Sequence, residues 1–286
     1  MRHRTDGVTA CSLQLDDGLA PLPVDSVSAW LRADAATRAD LLEKARRGAR
    51  RGSGGELLAP VDGRMEVWAC GVTYRRSLDA RVEESTDRDV YDRVYDAHRP
   101  EVFFKAAAWR VVGPDGAVTL RRDAKSTVPE PELAAVVAAD GSIAGYTICN
   151  DVSSRDIEGE NPLYLPQAKV WRGSCAVGPG IVPVTELSDP AALAITMRIL
   201  RRGEVVFAGE ASTGDLKRSV AELVDAIIAE DDFPDGLVVS TGTCIVPPLE
   251  FSLLPGDRID IEIDGIGTLS NTVALNTAGG RSAPRR

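Results

Sequence analysis

Short apolar runs, separated by glycine, proline and aspartate, make up most of the chain from Val67 onward. Four of them are EVFF, GAVTL, CAVGPGIVPV and LAITMRIL. Each has the length and residue types of a β-strand. AADGSIAG and IEIDGIGTL contain the Asp-Gly pair that favours a hairpin. Strands and helices do not alternate at regular spacing, so the pattern predicts a mainly β fold with some α-helix.

Two segments have the composition of helices. In TGDLKRSVAELVDAIIAED a helix is predicted to pack on the core through an apolar stripe. The stripe consists of Leu216, Val220, Leu223, Val224, Ile227 and Ile228. SLDARVEESTDRDVYDRVYDA is polar and charged, and predicts a helix with long exposed faces.

The first 60 residues differ in character and predict a small N-terminal α+β domain. GVTACSLQLDDG suggests a strand and a turn, and DSVSAWLRADAATRADLLEKARRGA suggests a helix capped by Asp25 or Ser26. The glycine-rich RRGSGGE then predicts a hinge. We therefore expect an N-terminal domain over 1–60, a catalytic domain over 61–278 and a flexible tail over 279–286.

The composition is that of a soluble globular protein, with 44% hydrophobic and 27% charged residues among 286. A net charge of -10 argues against a nucleic-acid partner. No apolar stretch approaches the ~20 residues of a membrane span. The N-terminus also lacks the apolar core of a signal peptide. We expect a cytoplasmic protein with no membrane partner.

Cysteine and histidine limit the chemistry. The five cysteines lie far apart in apolar runs without a CxxC pair, which disfavours a zinc site and predicts reduced, buried thiols. The sequence has no GxSxG elbow, dinucleotide-binding loop or Walker A loop. The histidines are His3 and His98 alone. Acid–base chemistry should therefore fall mainly on Glu, Asp, Lys or Tyr.

An acidic pair stands at the start of a predicted buried strand, in TVPEPEL. Glu130 and Glu132 share one strand face, ~7 Å apart, and Pro131 excludes a helix. The pair is either a solvated edge or part of a site for a hard divalent cation. The return strand of the hairpin ends at Asp151, which either caps a turn or adds a third oxygen ligand. Lys169 is either a surface charge or a group that stabilises an enolate.

Six motifs in fixed order carry a resemblance to a known family. They are GVTY, VPEPEL, GYTICNDVSSRDIEGENPLYLPQAK, GSCAVGP, TGTCIVPP and PGDRIDIEIDGIGTLSNTV. Together they resemble the fumarylacetoacetate hydrolase superfamily over roughly residues 60–275. GENPLYLPQAK resembles the branch of 2-keto-3-deoxy sugar-acid dehydratases, which includes those acting on 2-keto-3-deoxy-D-arabinonate. The resemblance implies a mixed β-sandwich roll assembled as a homodimer or a dimer of dimers.

The resemblance also implies roles for individual residues. Glu130, Glu132 and Asp151 would bind Mg²⁺, or Mn²⁺ or Ca²⁺ in its place. Lys169 falls on the family's catalytic lysine. The substrate carboxylate would bind at a loop near the end of the chain, formed by Thr241, Gly242 and Thr243.

One departure concerns the residue that activates water in the family's hydrolases and decarboxylases. Their motif ends in histidine, whereas TYRRS places Ser77 at that position. This disfavours C–C hydrolysis and favours dehydration, which needs no attacking water. Glu101 is then the expected base, and Glu83 and Glu84 are alternatives. An exposed ion-pairing role is the competing interpretation for all three glutamates.

These assignments predict a metal-dependent lyase acting on a small 2-keto acid, for example converting 2-keto-3-deoxy-D-arabinonate to 2,5-dioxopentanoate. Glu101 or Lys169 would take a C3 proton, and the enolate would expel the C4 hydroxyl. Arg75 and Arg76 are assigned to the distal hydroxyls or to closure over the site. Two alternatives stay open: a C–C hydrolase or decarboxylase of diketo acids, and a metal-dependent ligand-binding protein without catalysis.

Overall fold

Two mixed β-sheets packed face to face form the centre of the computed structural model, which describes residues 1–50, 55–84, 93–187 and 189–277. The strands are β1 Arg2–Thr5, β2 Val8–Leu15, β3 Gly18–Pro21, β4 Glu56–Leu58, β5 Glu66–Gly71, β6 Glu101–Ala107, β7 Ala117–Leu120, β8 Thr127–Val128, β9 Pro131–Val137, β10 Ile143–Asp151, β11 Ser153–Ser154, β12 Cys175–Pro183, β13 Ala194–Arg201, β14 Glu204–Ser212, β15 Leu237–Ser240, β16 Arg258–Ile263 and β17 Gly267–Leu275. The α-helices are α1 Val27–Arg32, α2 Ala35–Arg47, α3 Arg75–Glu84, α4 Arg155–Glu160, α5 Leu165–Lys169 and α6 Val220–Ile228. Short 3₁₀ turns span Ala108–Arg110, Pro162–Tyr164 and Thr213–Asp215.

The sheet that carries the site has the strand order β12-β10-β9-β15-β5-β6. Its central strand β9 is buried on both faces, which explains the uninterrupted apolar run in the sequence. Leu133, Ala135 and Val137 face the second sheet, whereas Ala134 and Val136 face a core shared with the N-terminal residues. Pairing is antiparallel except between β15 and β5, which run parallel.

The second sheet has the order β14-β13-β16-β17-β7 and is buried on one face only. In β13 the side chains of Ile195, Met197 and Ile199 are fully buried, whereas Thr196 between them is half-buried and Arg198 is exposed. This alternation is the strand period of two expected where one face meets solvent. The mixed β-sandwich predicted from the sequence is confirmed.

Both predicted hairpins are present. Asp140 and Gly141 lie in the turn between β9 and β10, and Asp264 and Gly265 in the turn between β16 and β17. Gly141 has φ +81° and Gly265 has φ +73°. Both values lie in the left-handed region that glycine enters without a steric penalty, so the Asp-Gly signals had a direct physical basis.

The N-terminal residues form a separate sheet of order β3-β2-β1-β4 with α1 and α2 beside it. Of the two candidate caps, Asp25 and Ser26, it is Ser26 that caps α1, by accepting a hydrogen bond from the Ala29 amide at 3.0 Å. The single helix expected over this segment is wrong, because Asp34 accepts a hydrogen bond from the Thr37 amide at 2.7 Å and starts a second helix. The division at residue 60 stays a prediction.

The two other predicted helices differ from expectation at their ends. Helix α6 starts at Val220 because Ser219 and Glu222 form a reciprocal capping box, which leaves Leu216 outside the helix. Helix α3 starts at Arg75, and residues 85–92 of the predicted charged helix lie outside the described residues. The predicted tail also lies outside them. None of the helices in the described part of the chain is long and apolar enough to span a membrane.

Candidate metal and substrate site

The three predicted metal ligands lie together where β9 begins and β10 ends. Glu130 immediately precedes β9, Glu132 is its second residue, and Asp151 is the last residue of β10. The antiparallel pairing brings them together, and the Asp151 amide donates to the Glu130 carbonyl at 3.0 Å. One oxygen of each carboxylate lies within 4.8 Å of the others, and all three side chains are buried. The solvated-edge interpretation of the acidic pair is therefore wrong.

Glu132 is held by the loop that follows β15. Its Oε2 accepts hydrogen bonds from the Ser240 hydroxyl at 2.5 Å and from the Gly242 amide at 2.9 Å. Burial, followed by the carboxylate of Asp151, raises the pKa of Glu132 well above its ordinary value. Three carboxylates at this spacing repel one another, and hard oxygen donors around one point are the environment that a divalent cation prefers.

Lys169 ends helix α5 and reaches the carboxylate cluster. Its side chain is buried, and its ammonium donates to Glu130 Oε2 at 2.7 Å and to the Ser153 hydroxyl at 2.6 Å. The same nitrogen lies 3.6 Å from an oxygen of Asp151 and 3.6 Å from an oxygen of Glu158. The surface-charge interpretation of Lys169 is wrong, because this lysine is a buried cation beside the cluster.

A second buried lysine was not predicted. Lys105 on β6 is fully buried, and its ammonium contacts the carboxylate of Asp151. It also donates to the carbonyl oxygens of Val152 at 3.0 Å and Lys169 at 2.6 Å. Lys105 thus ties the end of β10 to the end of α5. The only local signal was a lysine inside the apolar strand run FFKAA.

A cleft of about 320 Å³ opens onto this cluster. Its lining combines the carboxylates and Lys169 with small and apolar residues, including Ser77, Phe103, Gly242 and Thr243. Glu101 also lines the cleft, from the first position of β6. A Cβ built on Gly71 would lie 2.0 Å from Glu101 Oε2, so the glutamate lies directly over that glycine. The cleft therefore holds a carboxyl group that does not belong to the cluster.

A family model described as fumarylacetoacetate (FAA) hydrolase C-terminal matches residues 66–274, which include every residue of this cleft. The chain belongs to the fumarylacetoacetate hydrolase family. A solved member of similar structure is 2-keto-3-deoxy-D-arabinonate dehydratase in complex with magnesium and 2,5-dioxopentanoate. It matches with a TM-score of 0.80 and 35% identity, over 96% of this chain and 98% of that one.

Two relatives of similar sequence are named as sugar-acid dehydratases. A probable 2-keto-3-deoxyxylonate dehydratase of Haloferax volcanii is 51% identical over 214 residues, or 75% of this chain and 73% of that protein. A 2-dehydro-3-deoxy-D-arabinonate dehydratase of Saccharolobus solfataricus is 44% identical over 221 residues, or 76% of this chain and 74% of that protein.

Some of the other predicted site residues line the cleft, and others do not. Thr243 and Gly242 line the cleft, whereas Thr241 is fully buried and donates its hydroxyl to the Leu133 carbonyl at 2.8 Å. Arg75 and Arg76 are exposed on α3, outside the cleft lining.

Arg75 pairs with Asp79 at 3.3 Å, one turn further along α3. Arg76 and the exposed Glu83 line a separate depression of about 800 Å³. The side chain of Glu84 lies outside the described residues. Of the two candidate bases whose side chains are described, Glu83 and Glu101, Glu101 lines the cleft.

Ser77 lines the cleft, but its hydroxyl is hydrogen-bonded to the backbone. It donates to the Tyr74 carbonyl at 2.7 Å and accepts from the Tyr74 amide at 3.2 Å. Within the described part of the chain, the cleft lining contains no histidine. The group that the family's hydrolases use for water activation has no counterpart in this lining.

Proposed function

We propose that this protein catalyses the metal-dependent dehydration of a 2-keto-3-deoxy sugar acid, for example 2-keto-3-deoxy-D-arabinonate to 2,5-dioxopentanoate. One observation carries the proposal: Glu130, Glu132 and Asp151 form a buried carboxylate cluster with the Lys169 ammonium against it, inside one cleft. The relatives named as dehydratases, and the neighbour complexed with magnesium and 2,5-dioxopentanoate, support the choice of reaction.

The cluster fits Mg²⁺, with Mn²⁺ and Ca²⁺ as further candidates, because its donors are carboxylate oxygens in a buried and mutually repelling group. Glu130, Glu132 and Asp151 would hold the ion. When bound, it acts as a Lewis acid that polarises the keto group and makes the C3 protons more acidic.

Residues of the chain itself are then proposed to remove the proton, stabilise the negative charge and bind the substrate. Glu101 takes the C3 proton, since its carboxylate lines the cleft from the first position of β6 and is not one of the three carboxylates of the cluster. Lys169, fixed by Glu130 and Ser153, presents a cation that stabilises the negative charge developing on the keto oxygen. Gly242 and Thr243 stand on the cleft wall where the substrate carboxylate is proposed to bind.

Product analysis tests this function directly. The protein is incubated with 2-keto-3-deoxy-D-arabinonate and Mg²⁺, and NMR should show 2,5-dioxopentanoate. In D₂O, Glu101→Gln should abolish exchange of the C3 protons with solvent, because the proton acceptor is gone. Release of pyruvate, or no product from any 2-keto-3-deoxypentonate, contradicts the proposed reaction.

We further propose that the protein works in the cytoplasm as a homodimer or a dimer of dimers. The five cysteines are all free and buried, as is typical of proteins from reducing compartments. Large apolar side chains on the surface, such as Trp109 at 77% exposure, support self-association. Light scattering would measure the oligomer size.

A further inference from the structure

Elimination of water from a 2-keto-3-deoxy acid needs two proton transfers. One group takes the C3 proton, and another delivers a proton to the C4 hydroxyl, because hydroxide is a poor leaving group. Glu101 fills the first role in the reaction proposed above. Among the described residues that line the cleft, Glu158 is the acidic side chain that neither the metal cluster nor the base accounts for.

Glu158 is rigidly placed by the helix that carries it. The residue is 4% exposed and lies on α4. The guanidinium of Arg155 holds this helix to the carbonyl oxygens of Pro247 and Pro248, each at 2.7 Å. Asp156 holds it from the other side by accepting from the Lys125 amide at 2.8 Å. Because the helix is anchored on two sides, the carboxyl group has a fixed place in the cleft and can act on one particular atom of a bound substrate.

Glu158 and Glu101 line the cleft from different elements, Glu158 from helix α4 and Glu101 from strand β6. An oxygen of Glu158 lies 3.6 Å from the Lys169 ammonium, which in turn lies 2.7 Å from Glu130. Glu101 lies over Gly71, at the start of β6. The two remaining carboxyl groups therefore line the same cleft from two different elements, which suits one for each of two neighbouring substrate carbons.

Resting on the proposed dehydration, we propose that Glu158 is the general acid that protonates the departing C4 hydroxyl. The C3–H bond breaks, its proton passes to Glu101, and its electron pair forms the enolate. The enolate pair then forms the C3=C4 bond as the C4–O bond breaks. The leaving oxygen takes the proton of Glu158 and departs as water, and solvent exchange resets both carboxyl groups. The product of this step, 5-hydroxy-2-oxopent-3-enoate, is an isomer of 2,5-dioxopentanoate: loss of a C5 proton and protonation at C3 give an enol, and tautomerisation of that enol gives the aldehyde.

Chemistry favours Glu158 over Lys169 for this step. A carboxylic acid is a far stronger acid than an ammonium group, so it gives up its proton to a departing hydroxyl more readily. The ammonium of Lys169 is also engaged by Glu130 and Ser153. Lys169 is suited to stabilise charge, and Glu158 to transfer a proton.

The test uses Glu158→Gln, which preserves the shape of the side chain but cannot act as an acid. Its kcat with 2-keto-3-deoxy-D-arabinonate should fall by about 10²–10⁴-fold, while Mg²⁺-dependent C3 proton exchange in D₂O stays near the wild-type rate. A substrate with fluorine in place of the C4 hydroxyl needs no protonation, so its elimination should stay near wild type. Glu160→Gln, at the exposed end of the same helix, is the matched control and should dehydrate normally.

Other results would contradict either the acid role of Glu158 or the proposed dehydration itself. Near-normal dehydration by Glu158→Gln overturns the acid role, and so does equal loss with both leaving groups. If Glu158→Gln does not fold, Glu158→Asp replaces it: this shorter acid should be slow with the hydroxyl substrate and near normal with the fluoro substrate, and any other pattern overturns the role. If the wild-type protein itself dehydrates no 2-keto-3-deoxy acid, the proposed function fails, independently of Glu158.

Discussion

The ammonium of Lys105 contacts the carboxylate of Asp151 with both side chains out of reach of solvent. Two further bonds from the same ammonium, to the Val152 and Lys169 carbonyls, fix the position of the lysine. Lys105 therefore partly neutralises one metal ligand and also holds the end of the helix that carries Lys169. One side chain links the charge balance of the cluster to the placement of the proposed catalytic lysine.

Replacing Lys105 with methionine should destabilise the protein strongly. The change leaves the Asp151 carboxylate buried without this partner, and breaking a buried ion pair in this way costs about 3–5 kcal/mol. Chemical denaturation measures the loss. Added Mg²⁺ should recover part of it, because a bound cation replaces the missing positive charge.

Lys217→Met is the matched control, since it removes a lysine ion pair at the surface. Lys217 lies 2.5 Å from Asp96, whose side chain is 82% exposed. Its loss should cost much less than the loss of the Lys105 pair, because exposed ion pairs are weak, and should not depend on Mg²⁺. Equal losses in the two variants would show that the contact between Lys105 and Asp151 has no special role.

Metal binding should appear in thermal stability as well as in activity. With free Mg²⁺ at about 100 times its Kd, binding stabilises the folded state by roughly 2.7 kcal/mol, and a chelator should remove that gain together with catalysis. Glu132→Gln should abolish the difference in Tm between Mg²⁺ and chelator. The metal-free variant should stay folded, because a glutamine oxygen accepts the same bonds from Ser240 and Gly242.

The control for this prediction is Glu262→Gln, on an exposed position of β16. It should keep the full dependence of Tm on Mg²⁺. Full activity of the wild-type protein in excess chelator would exclude the metal site.

The sequence allowed the mixed β-sandwich and the carboxylate cluster to be predicted because their signals are local. The acidic pair precedes a buried strand, and an Asp-Gly turn returns the chain so that Asp151 meets it. Lys105 and Glu158 were missed for the opposite reason. The partner of Lys105 lies on another strand, and a lysine is buried or exposed only by virtue of such tertiary contacts.

The starts of two helices also have local sequence signals, whereas the contacts of two arginines do not. The Ser219–Glu222 capping box was visible in the sequence as S-x-x-E, so the start of α6 was open to prediction. The break between α1 and α2 at Asp34 was open to prediction by the same kind of signal. By contrast, Arg75 and Arg76 were assigned to the substrate from their position next to the motif alone, and they lie outside the cleft lining.

Ser77 is expected to act structurally. Its hydroxyl is engaged by the Tyr74 backbone, so Ser77→Ala should cost about 1 kcal/mol of stability and change the kcat for dehydration by less than about threefold. Acetylpyruvate and fumarylacetoacetate should not be cleaved by the wild-type protein. Efficient cleavage of either compound, followed by the loss of that cleavage in Ser77→Ala, would assign Ser77 to water activation and contradict this expectation.

Asp235, which is not part of the cleft lining, should produce an acid-dependent loss of stability. Hydrogen bonds from the backbone and side chain of Arg64, and then from the Arg32 guanidinium, lower the pKa of Asp235 to about 2 from the ordinary 3.8. Because the pKa is lowered in the folded state, the stabilisation is complete above about pH 4 and is lost as the pH falls toward 2.

Asp235→Asn should accordingly cost on the order of 2 kcal/mol at pH 7, and the gap to wild type should narrow as the pH approaches 3. Urea unfolding at several pH values measures the gap. Asp232→Asn, at an exposed position three residues earlier, should show no such gap at any pH. A gap for Asp235→Asn that stays constant from pH 7 to pH 3 would mean that its charge does not stabilise the fold.

Lys169→Met separates a catalytic role of this lysine from a structural one. If the ammonium stabilises charge on the keto oxygen, kcat should fall by about 10²–10³-fold at saturating Mg²⁺, while the Kd for the ion changes little. If Lys169 instead only ties helix α5 to Glu130 and Ser153, the variant should melt earlier, and saturating substrate should restore nearly normal turnover. The control is Lys125→Met, an exposed lysine that should leave kcat and Tm unchanged. Measuring kcat, Kd and Tm on both variants decides between the roles, and a wild-type kcat in Lys169→Met would end the catalytic assignment.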